Sequence, residues 1–75
     1  MISIYRKSIQ IKTIYFLYNH KVKKRTRVSN SLEDILKYEL VDNENCYVDN
    51  FYLMHTFKNK PNIEELQYFF PELFI

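Results

Sequence analysis

Glycine, alanine and tryptophan are absent from this chain, cysteine occurs once and proline twice. Without glycine, no loop can wrap a phosphate in the closely approaching backbone that dinucleotide-binding and P-loop motifs use. Without small residues, backbones stay apart, so broad gaps filled by aromatic side chains are expected between elements. The lone Cys46 excludes an intramolecular disulfide framework and reads as a small buried hydrophobe in an intracellular, cytoplasmic setting. The longest uninterrupted apolar run, residues 14–18 (IYFLY), falls far short of the ~20 residues of a membrane span, and no membrane partner is expected. The N-terminus has no compact apolar segment ending in small residues, so it reads as part of the mature fold and not as a signal peptide.

Acidic residues are also missing from the whole first part of the chain. Residues 1–30 hold Arg6, Lys7, Lys12, Lys21, Lys23, Lys24, Arg25 and Arg27 and no acid, a charge of +8. Residues 31–75 hold nine acids against Lys37, Lys58 and Lys60, a charge of −6. Three physical readings follow. The halves fold against each other and partly neutralise, they pair between copies in a homodimer, or a basic face stays free for an acidic partner.

What the chain has in their place is bulk. Seven tyrosines, six phenylalanines and eight isoleucines stand among 75 residues, enough for one small domain whose stability margin is thin. Aromatic residues in this proportion also suit a contact shared with a partner. Lys, Asn, Ile, Tyr and Phe in place of Gly and Ala are what AT-rich coding produces, a style associated with small proteins of bacteriophages and other mobile elements.

Residues 2–18 alternate apolar and other side chains with β-branched and aromatic content, the pattern of strand. Asn19 and His20 separate this run from KVKKRTRV (residues 21–28), and two alternating segments around a short polar pair predict a hairpin. A lysine-rich strand is also how a sheet edge is protected. Asn30 or Ser31 caps a helix over 31–41, with Leu32, Ile35, Leu36 and Leu40 on one face. Residues 46–57 fit either period, and helix over about 50–58 is the reading taken. Asn62, with Glu65 in a capping box, opens a helix over 62–70 that Pro71 ends. The apolar tail through Phe74 is expected to dock, on its own core or in a partner's groove. The fold class is therefore α+β, an N-terminal antiparallel β-hairpin packed against about three short helices; an all-helical fold is the alternative, resting on residues 8–18.

Chemistry is sparse. Cys46 and His55 form no triad, the four serines lie outside any nucleophile-elbow context, and Asp42, Cys46, Asp49 and His55 match no metal spacing. No enzyme, cofactor or metal is expected. Two binding readings remain. In the preferred one, a small non-enzymatic protein of phage type acts by protein–protein contact. It would inhibit a host protein or nucleoprotein complex, steered by the basic run and anchored by Tyr15, Tyr18, Tyr47, Tyr52, Tyr68, Phe69 and Phe74. In the alternative, the eight bases of residues 1–30 track nucleic-acid phosphates while Tyr15, Phe16 and Tyr18 stack on bases. An exposed patch of Tyr47, Tyr52, Tyr68 and Phe69 would favour the first. A patch joining Lys12, Lys23, Arg25 and Arg27 beside exposed aromatics would favour the second.

Overall fold

β1 (Ile2–Ile9) and β2 (Lys12–Asn19) pair antiparallel along their whole length, from Ile2 opposite Asn19 to Ile9 opposite Lys12. The structure, a computed structural model, describes residues 1–42 and 50–74. Gln10 and Ile11 form the two-residue loop of this hairpin, with Gln10 at φ 55°, a torsion that glycine would adopt freely. The sequence places its turn later, at Asn19–His20, and that turn exists as well. The Asn19 side-chain oxygen accepts from the backbone N–H of Lys21 (2.9 Å) and Val22 (3.3 Å), an Asx turn. Beyond it β3 (Lys24–Arg25) pairs with the end of β2. The chain then follows β2 further, Thr26 donating to the Leu17 carbonyl and Tyr15 exchanging both backbone bonds with Ser29.

Ser31 caps α1 (Leu32–Lys37), its hydroxyl accepting from the Asp34 N–H at 3.3 Å. The expected helix to residue 41 stops earlier. Tyr38 turns extended, and β4 (Val41–Asp42) pairs outside β3. The expected helix over about 50–58 is corrected to a strand, β5 (Tyr52–Phe57), antiparallel to β1. Ile4 faces His55 while Tyr5 faces Leu53, so Met54 is an extra residue, a β-bulge. Asn62 and Glu65 complete the capping box of α2 (Ile63–Phe69), and Pro71 opens a short 3-10 turn (Pro71–Phe74). The five-stranded sheet runs β4-β3-β2-β1-β5, with β2 central.

The helices cover one face. Ile2, Ile4, Tyr15, Leu17 and Phe57 from the sheet meet Leu32 and Ile35 of α1 and Leu66 of α2, with Met54, Phe70 and Phe74 closing the rim. Each such side chain contributes roughly 1.5–3 kcal/mol by leaving water. No helix of the described residues is long and apolar enough to cross a membrane.

The Gln10 torsion costs about 1–2 kcal/mol for a residue with a Cβ, against roughly 0.5–1 kcal/mol of added chain entropy for glycine. Gln10→Gly is therefore expected to raise the melting temperature by a few degrees, on the scale of about 4–8 °C per kcal/mol. An unchanged or lowered melting temperature would show that the loop is unstrained.

Candidate functional site

The basic residues do not form one surface. Lys12 and Asn19 end opposite ends of β2, roughly 23 Å apart at strand rise, so Lys12 cannot join the loop that carries Lys21 and Lys23. Lys7 lies over the Phe51 ring at 5.7 Å, and Arg6 borders a groove beside β5. Lys24 pairs with Asp42 at 3.6 Å, an exposed contact of little worth. Arg27 borders a separate concavity of about 420 Å³ with Val28, Lys37, Tyr38 and Val41.

Arg25, expected among the solvated bases, is instead buried. Its guanidinium carbon lies 3.8 Å from the centre of the Phe16 ring and its Nε donates to the Thr26 carbonyl at 3.0 Å. Phe16 alternates with Tyr15 and Leu17 and so faces away from the helices. There Tyr5 stacks on it at 5.0 Å and Phe51 meets it edge-on at 4.8 Å. With 1% of its surface exposed, Phe16 has no face left for a base, because a guanidinium already occupies that position. Tyr15, expected as an anchor, is corrected to a core residue on the helical side. Burial raises its phenol above the ordinary value near 10, with the charge of Arg6 acting in the opposite direction.

A constellation that no sequence spacing shows joins Ser3, His20 and Thr56. The Ser3 hydroxyl lies 2.6 Å from His20 Nε2 and 2.8 Å from Thr56 Oγ1, and the Tyr18 ring meets His20 edge-on at 4.8 Å. The chain of hydroxyls and imidazole can run in either direction. A serine and a base at this distance are the parts of a nucleophile, but Ser3 is 1% exposed and no substrate reaches it. The trio instead fastens β1 to the end of β2 and to β5. His55 lies against Phe69 (4.5 Å) and Phe57 (4.6 Å) at the rim of the core. Cys46 and Asp49 of the rejected metal and dyad readings, and the anchor Tyr47, lie outside the described residues.

The exposed aromatics gather on β5 and α2. Tyr52 is 71% exposed, Leu53 55%, Tyr68 81% and Phe69 43%. Phe69 ties the two elements together, touching His55 and Phe57 on one side and Tyr68 at 5.3 Å on the other. Beside them Tyr52, Leu53, Met54 and Phe70 line a groove of about 320 Å³ with Arg6 and Glu72 at its margin. Phe74 turns inward against the core, which answers the docking expected of the tail. Tyr18 is half-buried against His20. Leu53 was not singled out by residue type; its place on the outermost strand exposes it.

The chain matches no protein-family model, and no curated protein or solved structure matches it either.

Arg25→Ala is expected to cost about 2–3 kcal/mol in urea unfolding, from a desolvated cation–π contact and a buried hydrogen bond. Lys21→Ala should stay within about 0.5 kcal/mol. Equal effects would contradict the division between a structural and a solvated base. For Tyr15 the folded state holds its proton longer than the unfolded chain. Stability is therefore fully present below the ordinary tyrosine value and falls as pH rises through the raised one. Tyr15→Phe should lessen that loss in urea midpoints taken between about pH 9 and about pH 11; a slope equal to that of the unaltered chain would count against it.

Proposed function

We propose that this chain is a non-enzymatic protein-binding module whose contact surface is the exposed aromatic face of β5 and α2. The observation that carries the reading is Tyr68 of α2, 81% exposed and ring to ring with Phe69, which itself packs on His55 and Phe57 of β5. Nothing in the packing of the described core requires these side chains outside, and clustered aromatics of this kind supply most of the energy in protein interfaces. The competing reading asks for a joined basic patch beside free aromatic faces. Arg25 on Phe16 and the separation of Lys12 from the Lys21 and Lys23 loop weigh against it.

The test is a photo-crosslinking side chain placed at Tyr68 or, as control, at Lys12, in cells expressing the chain. Protein adducts are expected at Tyr68 and not at Lys12. Tyr52→Asp should remove them, since loss of one central anchor costs about 2 kcal/mol or more, roughly 30-fold in affinity. Equal adducts at both positions would overturn the reading. So would nucleic-acid binding that weakens about 10³-fold between about 50 and about 200 mM salt.

A further inference from the structure

We propose that the tip of the β1–β2 hairpin is a contact site for anionic phospholipid surfaces, with Ile11 and Ile9 entering the interface while Lys12 and Lys7 meet the headgroups. This goes beyond the protein contact of β5 and α2 and stands on separate residues. Ile11 is 98% exposed and Ile9 46%. Residues 8–12 are all exposed, so the hairpin outruns the rest of the described fold at this end. A two-residue loop forms most readily from Gly, Asn or Asp. This one holds Gln10 in the left-handed region, at φ 55°, and sets a β-branched apolar side chain in water. Neither choice serves the hairpin, and backbone strain of this kind collects at contact sites.

The order of side chains along the hairpin gives the ligand. Ile11 is outermost. The Ile9–Lys12 pair comes next, then the hydroxyls of Ser8 and Thr13, then Lys7 opposite Ile14. Ile9 leads Lys7 by roughly 7 Å at strand rise, and Ile11 lies further out. That spacing matches the ~5–10 Å to which apolar side chains enter the boundary between headgroups and acyl chains. Lys12, level with Ile9, can reach back to the phosphates while its methylenes stay with the isoleucines.

Charge points the same way. Residues 1–30 carry no acid, so no carboxylate on either strand opposes an anionic surface. Glu72 shares a groove with Arg6, which lies back from the tip beyond Lys7. Nucleic acid fits less well, because residues 7–14 include no aromatic ring on which a base could stack. The expectation of no membrane partner rests on the absence of a span, and a surface contact needs none.

The test is sedimentation of the full chain with vesicles of phosphatidylcholine containing about 30% phosphatidylserine, at low salt. The chain is expected to pellet with a partition constant on the order of 10⁴ M⁻¹, the level a single myristoyl chain reaches. Vesicles of phosphatidylcholine alone should bind it roughly 30-fold less, the loss expected when two lysines no longer meet anionic headgroups. Ile11→Asp and Lys12→Glu, each with circular dichroism verifying its fold, should also lose about 30-fold. Tyr68→Asp, on the proposed protein contact, should bind as the unaltered chain does. Ile11→Trp supplies the chain's only tryptophan, whose emission should shift to the blue with the anionic vesicles. A chain that stays in the supernatant at about millimolar lipid overturns the proposal, as does pelleting that Ile11→Asp leaves unchanged. Photo-crosslinks from position 11 to protein alone would give the tip to a protein partner and overturn it equally.

Discussion

The fold depends on β2 being buried from both sides. Tyr15 and Leu17 anchor the helical core, and Phe16 between them is closed in by Tyr5, Phe51 and the Arg25 guanidinium. Alternation along one strand thus serves two layers at once. α1 and α2 are six and seven residues long, too short to persist alone, so each exists because its apolar stripe finds this sheet. β1 in turn is held on both edges, by β2 along its full length and by β5 through the bulge. The absence of small side chains suits this plan: ring-on-ring spacings near 5 Å fill the layer that closer backbones would otherwise occupy.

Arg25 shows why the basic run KVKKRTRV cannot be judged by counting charges. A cation on an aromatic face, largely withdrawn from water, is a packing element as much as a charge. The remaining bases divide between a loop, an edge pair with Asp42, the concavity bordered by Arg27, strand β1 and the far end of the hairpin. The acids Glu33, Asp34, Glu64 and Glu65 stand in the first turns of the two helices, where the helix dipole favours them. Sheet and helices therefore differ in charge, with Lys24–Asp42 joining the two halves of the sequence.

The features legible from sequence are the local ones. Ser31 and Asn62 were readable as caps because their partners, Asp34 and Glu65, lie three residues on. The mixed α+β class followed from a β-branched, aromatic N-terminus ahead of two capped helices. β5 was not readable, because the extra residue at Met54 breaks the two-residue alternation and Leu and Met favour helix. What makes it a strand is β1, some fifty residues earlier. The same distance hides Ser3–Thr56, and the Gln10–Ile11 loop carries none of the usual turn residues. Of the candidate site, Tyr52, Tyr68 and Phe69 could be chosen by residue type. That Tyr15 and Arg25 belong inside could not, since each depends on what packs over it.

Why Tyr68 stays outside is the remaining question, and the geometry of α2 answers part of it. Leu66 is buried and Ile63 and Phe70 are half-buried, which leaves Glu64, Glu65, Gln67 and Tyr68 outward, with Phe69 partly so at the edge of the core. Pro71 then turns the chain back so that Phe74 reaches the core, and Glu72 and Leu73 are left facing water. A domain this small has no further described element to lay over β5 and the outer side of α2. Three polar residues on that helix satisfy solubility. A fourth outward position occupied by tyrosine does not improve it, and exposes a ring whose burial elsewhere would stabilise. Folding of the described residues gives no reason for it. The proposed protein contact would supply one, because an exposed ring held beside Phe69 loses little conformational freedom when a second surface covers it.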